Sequence, residues 1–357
     1  MENLLVNKVA AVKEVQQAAE YQKRKQACIL TGLAGSSKPV FLAAIDKLAG
    51  SKGSMAFITA SREEIRAYRR ELNYLYPELP MQELYPVSLP RVQADTQSLE
   101  LQAGRAAALR FLSGEERGIV FITAEALQQK QLRPSGMSGK ALQLAVGEEH
   151  EQRNVAAALL DLGYERTEQV DALGQFCLRG DILDVYPINA SAPIRIEWFD
   201  NELDAMRSFD VDTQRSLQTL NSVKVAPLKV DESFSYDADI FEYCAADTLV
   251  VVDEPVHVFS MLEKLDKENK LHSAELFGKQ EIIEQLAVNG VMLVSALGHS
   301  YLQQLPTLNI PVRAVAPYNK NTNLLVEDLQ SWLAEGSTPL IMLSSSVKAR
   351  GFADNLH

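Results

Sequence analysis

The stretch "TGLAGSSKPV", residues 31–40, spaces a glycine and a lysine as a phosphate-binding loop does. Such a loop, G-x-x-x-x-G-K-[ST], wraps phosphates in backbone N–H groups, brings its lysine to the β- and γ-phosphates and holds Mg²⁺ on its hydroxyl. Gly32 and Lys38 fit that spacing. Ser37 stands where the second glycine belongs and carries a Cβ at a position that often needs a positive φ. Pro39 stands where Ser or Thr belongs, and proline offers neither a hydroxyl nor an N–H. The flanking strand and helix are the context such a site needs, so chance is an insufficient explanation. The expectation is a relic loop that keeps its fold; weak nucleotide binding and a working ATPase are the alternatives.

A second place for chemistry is "LVVVDEPVH", where Asp253 and Glu254 close an apolar strand. A nucleotide hydrolase holds Mg²⁺ and orients water at such a strand end. With half of the site broken, the favoured reading is an acidic turn that Pro255 terminates. The most distinctive stretch is "CLRGDILDVYP". Its alternation predicts Leu178, Ile182 and Val185 on the buried side and Arg179 outward, with a turn or bulge at Gly180. An outward guanidinium there suits a partner's carboxylate, although arginines on exposed strands are usually just solvated. The run "EWFDNELDAMRSFDVD" sets Glu197, Asp200, Glu202, Asp204, Asp210 and Asp212 against Arg207, a surface that would not attract DNA, with Trp198 and Phe199 expected to be partly buried. No G-x-S-x-G elbow, H-E-x-x-H, G-x-G-x-x-G or paired Cys/His spacing occurs, so no catalytic residue and no metal site is expected.

These residues need elements to position them. The chain has 357 residues, 46% hydrophobic and 23% charged, enough for two to four domains with cores. Its net charge of -12 argues against strong nonspecific DNA binding. Three scattered cysteines fit reduced thiols. There is no signal-peptide pattern and no run of 18 apolar residues, so a soluble cytoplasmic protein without membrane contact is expected. Apolar runs such as "ACILTG", "SMAFITA" and "GIVFITAEAL" alternate with helical spacing, which predicts a parallel sheet over residues 1–130. "QLRPSGMSGK" breaks the rhythm. A helix over Val155–Leu162 and two strand-rich stretches predict an α+β domain over 131–207. The α/β rhythm returns over 208–312. A last piece, 313–357, holds a helix, a strand "PLIMLSS" and a helix start; one βα piece is too small for a domain, so a longer parent protein is expected.

With "GLAGSSKP", "LRGDILDVYPI", "IRIEWFDNELDAMRSFDVDTQRS" and "DTLVVVDEP" in this order, the chain resembles the N-terminal, UvrB-homologous region of bacterial transcription-repair coupling factors (Mfd). The same segments are similar to the excision-repair protein UvrB, whose loop is intact. The segment "MQELYPVSLPRVQADTQSLELQAG" is too short and too poor in tyrosine for UvrB's DNA-clamping hairpin. The resemblance implies a degenerate, P-loop-NTPase-like, UvrB-like α/β domain in two sequence halves, with a small α+β domain inserted that docks onto UvrA, the damage-recognition ATPase. It implies no cofactor in this chain. ATP and Mg²⁺, RNA polymerase, DNA and a C-terminal domain that masks this module belong to other parts of the parent. Arg179 matches the arginine of the family's "RG" strand and is the best candidate for a UvrA contact. A second contact is implied just after Gly163-Tyr164, where Glu165 holds the expected basic position and Arg166 follows it. A UvrB-type nucleotide-binding repair enzyme, using Lys38, Asp253 and Glu254, is the alternative; a DNA-binding module is the weakest reading.

Overall fold

A computed structural model describes residues 4–33, 35–50, 52–89, 99–134, 141–228, 236–296, 305–310, 321–339 and 345–354, with single positions 312, 315, 318, 341 and 343. The chain divides into two compact units, Met1–Val312 and Arg313–His357. Most of "QLRPSGMSGK" and the middle of "MQELYPVSLPRVQADTQSLELQAG" lie outside the described residues.

The first unit begins with β1 (Cys28–Thr31), β2 (Met55–Thr59), β3 (Met81–Leu84) and β4 (Ile119–Thr123), each followed or preceded by a helix. A short β5 (Gln131–Leu132) leads to the small domain. That domain holds β6 (Leu142–Ala145), the helix Gln152–Asp161, β7 (Glu165–Arg166), β8 (Gln175–Arg179), β9 (Ile182–Val185), β10 (Ile194–Phe199), β11 (Glu202–Phe209), β12 (Ser216–Leu220) and β13 (Ser222–Val225). The chain then returns through β14 (Tyr236–Ala238), β15 (Leu249–Asp253), β16 (Met292–Ser295) and β17 (Thr307–Asn309).

Seven strands form one sheet in the order β17-β1-β16-β15-β2-β4-β3, parallel at every pairing. Every residue of β1, β2, β4, β15 and β16 is buried, because helices cover both faces and continuous apolar runs suit strands with no wet side. Helices Lys13–Lys23, Ser37–Ala49 and Arg62–Leu75 pack Val15, Leu42, Ile45, Ile65 and Leu72 against one face. On the other, Phe111, Val258, Leu262, Ile282 and Leu286 come from helices Leu99–Ser113, Pro255–Glu268 and Lys279–Val288. The helix Arg62–Leu75 starts where the Glu64 carboxylate accepts the N–H groups of Ala60 (2.8 Å) and Ser61 (3.2 Å), satisfying donors that the first turn leaves unpaired.

The small domain is built differently. Six strands run in the order β12-β11-β10-β9-β8-β7, antiparallel except for β7 with β8. One face buries Phe176, Leu183, Val185, Ile196 and Met206 against Val155 and Leu159 of its helix and against the β6–β13 pair. The Tyr164 hydroxyl ties this core together, donating to the Ala226 carbonyl (2.9 Å) and accepting from the Ile188 N–H (3.2 Å). The domain's C-terminal edge, expected at 207, falls inside β11, and the sheet and the β6–β13 pair carry the domain on to Val225. The short polar strand β12, with every residue but its last exposed, gave no alternation from which that continuation could be read.

The second unit holds the helices Thr322–Ala334 and Ser346–Asp354. The strand expected at "PLIMLSS" lies partly outside the described residues.

Candidate functional site

Charged side chains singled out from the sequence gather at the loop after β1 and on the outer face of the six-stranded sheet.

β1 ends at Thr31, and Gly32 turns the chain with φ +85°. That glycine is required by packing as well as by dihedral angle. A Cβ there would collide with the Ile310 carbonyl oxygen, because the segment after β17 lies against the loop and the Ile310 N–H donates to the Thr31 carbonyl (2.8 Å). Ser37 does not occupy a positive-φ position; it opens the helix Ser37–Ala49, and the Lys38 N–H donates to the Gly35 carbonyl (3.2 Å). Pro39 sits in the first turn, where its missing N–H goes unneeded.

Lys38 is buried, and its Nζ donates to Asp253 Oδ1 and to Glu254 Oε1, both at 2.6 Å. Asp253 and Glu254 are therefore more than an acidic turn: both carboxylates face the loop. Glu254 adopts the left-handed conformation, φ 41° and ψ 71°, immediately before Pro255. Its carboxylate is fixed there by three donors, Lys38, the Ala296 N–H (2.9 Å) and Ser295 Oγ (3.0 Å). Burial works against the Lys38 ammonium, but Asp253 and Glu254 outweigh it and raise its pKa. Burial likewise opposes ionisation of Glu254, and Lys38 with the Ala296 N–H overcomes it and lowers the pKa. For Asp253 burial wins over the attraction of Lys38, and its pKa is raised.

These residues do not fit a magnesium nucleotide as they stand. The lysine that would meet the phosphates is held by two carboxylates, the triad carries a net negative charge, and Pro39 has no hydroxyl for the metal.

The second place begins with the β8–β9 hairpin. Arg179 pairs with Ile182 across a two-residue turn whose first residue, Gly180, has φ +57°, the position for which such hairpins select glycine. The turn resets the alternation, so the buried residues of β9 are Leu183, Asp184 and Val185, while Ile182, expected inside, is 37% exposed. Leu178 and Val185 do pack on the core side. Arg179 points outward with its side chain 54% exposed.

Its neighbour Asp184 is 1% exposed. One oxygen accepts from Arg195 Nε (2.7 Å); the other accepts from Arg195 Nη2 (2.8 Å) and from Arg179 Nη2 (3.3 Å). The Arg195 guanidinium lies 4.7 Å over the Phe209 ring. Cross-strand pairing puts Asp184, Arg195 and Arg207 in one row on this face, and Arg207 donates to Glu197. At the end of β10, Trp198 is buried but Phe199 is 78% exposed, more open than the sequence predicted, because the hairpin turns at Asp200 with φ 58°.

Arg166 is not brought to Arg179. It lies exposed on the edge strand β7 paired with Phe176, a core-facing residue, whereas Glu165 pairs with Gln175, whose alternation leads through Cys177 to Arg179. The chain therefore places Glu165, not Arg166, on the register of the arginine face.

Residues 142–230 match the UvrB interaction domain family. The match covers the whole six-stranded sheet and the β6–β13 pair, so both the Arg179 face and the extension past residue 207 lie within the residues that match this family. Across 203 residues the chain is 34% identical to the transcription-repair-coupling factor of Bacillus subtilis, covering 56% of this chain and 17% of that protein. It is 31% identical over 201 residues to the one from Staphylococcus aureus MRSA252, and 27% identical over 165 residues to the one from Escherichia coli K12. The aligned part spans about a sixth of the length of these relatives. The resemblance to the N-terminal region of transcription-repair coupling factors, stated from the motifs, is borne out.

Asp184 and Arg195 were not singled out from the sequence. One signal was available: an aspartate inside the apolar strand "ILDV" needs a partner if buried, and the next strand, "IRIEWF", offers one arginine at the matching position.

Proposed function

We propose that this chain is the UvrA-docking module of a transcription-repair coupling factor and recruits UvrA to stalled RNA polymerase. The observation that carries the reading is Arg179, a half-exposed guanidinium on the outer face of a UvrB interaction domain, held by a buried acid. An arginine anchored this way, paired across the hairpin with the exposed Ile182, offers an acidic partner one fixed charge with an apolar neighbour that excludes water beside it. The module hydrolyses no nucleotide in this reading. The loop after β1 is a relic: it keeps its strand–loop–helix packing while Lys38 serves as the internal countercharge of Asp253 and Glu254. ATP and Mg²⁺ belong to the parent's motor, and RNA polymerase and DNA contacts to its other parts. Arg166 is left as a contact only for a partner that wraps the β7 edge.

Calorimetric titration of UvrA into the chain tests this. Saturable binding is expected, and Arg179→Glu should weaken it by about 2 kcal/mol or more, roughly 30-fold in Kd. Wild-type affinity in that variant would remove Arg179 from the interface. Nucleotide binding that Lys38→Ala abolishes would favour a UvrB-type nucleotide-binding repair enzyme instead.

A further inference from the structure

The outer face poses an electrostatic problem. A buried carboxylate next to a half-exposed arginine ordinarily claims that arginine for itself, and an arginine consumed by an internal ion pair has little left for a partner. Asp184 lies in the middle of the sheet, 1% exposed, and must be neutralised. Arg195 does this from the neighbouring strand through two short bonds, 2.7 and 2.8 Å, in the fork-on-carboxylate geometry that gives the strongest such pairs. Packing over Phe209 and 21% exposure of its side chain fix Arg195 in place. Arg179 then meets an already paired carboxylate and makes one longer bond, 3.3 Å, to the oxygen that Arg195 Nη2 also uses. Among the described residues no other hydrogen bond to the Arg179 side chain is found. The three groups together carry one net positive charge, and it resides on the exposed member.

We infer that Asp184 is a positioning residue: neutralised by Arg195, it orients Arg179 toward the partner without consuming its charge. The inference rests on the reading that this face docks UvrA. Its chemistry is a tether. Arginine has a long, rotamer-rich side chain, and ordering one on binding costs conformational entropy. A single charge-assisted bond to a rigid acid removes part of that cost beforehand and leaves the remaining N–H groups for an acidic group across the interface.

The experiment is a double-variant cycle on the full chain, with UvrA binding measured by calorimetry for wild type, Arg179→Ala, Asp184→Asn and the pair. Asp184→Asn keeps the shape of the side chain but loosens its hold on both arginines. It should weaken binding about 2- to 10-fold, the equivalent of one unrestrained side chain. In the Arg179→Ala background it should change nothing further, because there is no longer an arginine to position. Wild-type affinity in Asp184→Asn overturns the inference, as does an equal loss in both backgrounds, which would mean that Asp184 acts independently of Arg179. If Arg179→Ala itself binds like wild type, the docking reading fails instead, so the two failures are distinct. Should Asp184→Asn lose its fold by near-ultraviolet circular dichroism, Arg195→Lys takes its place. Lysine keeps the countercharge as a single point contact, so Asp184 draws Arg179 inward. A loss of affinity confined to the Arg179-containing background supports the inference, and unchanged affinity overturns it.

Discussion

Lys38 can be a phosphate lysine or a structural countercharge, and replacing it by methionine separates the two. A lysine kept for phosphate leaves the fold almost intact when removed, since surface substitutions cost about 0.5 kcal/mol or less. The geometry says otherwise. The Lys38 side chain is 8% exposed, like that of Asp253, and Glu254 is 20% exposed, with both bonds at 2.6 Å. Removing one member of a buried ion pair strands the other and costs about 3–5 kcal/mol. Glu254 would keep the Ala296 N–H and Ser295 Oγ, and Asp253 the Tyr68 hydroxyl, so the lower end of that range is the expected loss. In urea, with a slope of about 3 kcal/mol/M for a unit of this size, the midpoint of Lys38→Met should fall by about 1 M with an unchanged slope. The triple variant Lys38→Met, Asp253→Asn, Glu254→Gln has no buried charge to strand and should recover most of the loss. A Lys38→Met protein within about 0.5 kcal/mol of wild type would refute the countercharge account.

The remaining predictions concern the same loop. Because its pKa is raised in the fold, Lys38 contributes stability that is complete below 10.5, its ordinary value, and is lost as pH rises through the folded value. Alkaline denaturation should therefore be steeper in wild type than in Lys38→Met; equal alkaline limbs would contradict the raised pKa. The acid limb is a poorer test, since the lowered Glu254 loses its contribution as pH falls below 4.5 while the raised Asp253 acts in the opposite sense. Gly32→Ala meets both a φ of +85° and the Ile310 carbonyl, and should cost on the order of 3 kcal/mol. Gly35→Ala, at φ +53° with open space around it, should cost about 1 kcal/mol. Equal losses by chemical denaturation would refute the packing role assigned to Gly32.

The parallel sheet was legible because its strands are buried on both faces and read as unbroken apolar runs, "ACILTG" and "TLVVVD" among them. The small domain was legible as strands but not in its extent, since β12 is exposed and polar and depends on its pairing with β11. The side of the β8–β9 hairpin was misread at Ile182 for a related reason. A period-2 pattern runs through a strand but not through a turn, and Gly180-Asp181 breaks the count. The outward direction of Arg179 was legible because it lies before that turn. Asp184 was passed over because its partner is on a strand eleven residues away, and a cross-strand bond leaves no local pattern. The same limit hid the meeting of Lys38 with Asp253 and Glu254, whose separation in sequence exceeds 200 residues.

Net charge misdirects in this chain unless it is resolved by position. The overall value is -12, and the segment around β10 and β11 is rich in acids, which by itself argues for a surface that repels acidic partners. Yet the acids and the arginines are sorted. Asp200 and Glu202 lie at the β10–β11 turn, and Asp210 and Asp212 at the turn before β12. Asp210 is spent on its own turn, where it accepts from the N–H (2.8 Å) and the hydroxyl (2.7 Å) of Thr213. In the row itself Glu197 is matched by Arg207 and Asp184 by Arg195, which leaves the Arg179 charge only partly used, while Asp204 on β11 and Glu165 on β7 are exposed acids on the strands. Coulomb interactions between exposed charges fade beyond about 8 Å at physiological salt, so a docking acid responds to Arg179 and its immediate row rather than to the whole molecule. In the proposed docking the acidic turns have a separate effect: they oppose a polyanion such as DNA that would have to lie within a Debye length of them, while the arginine row would accept a single carboxylate at contact. Under the proposed function, such a surface would favour an acidic protein over a nucleic acid by charge placement alone.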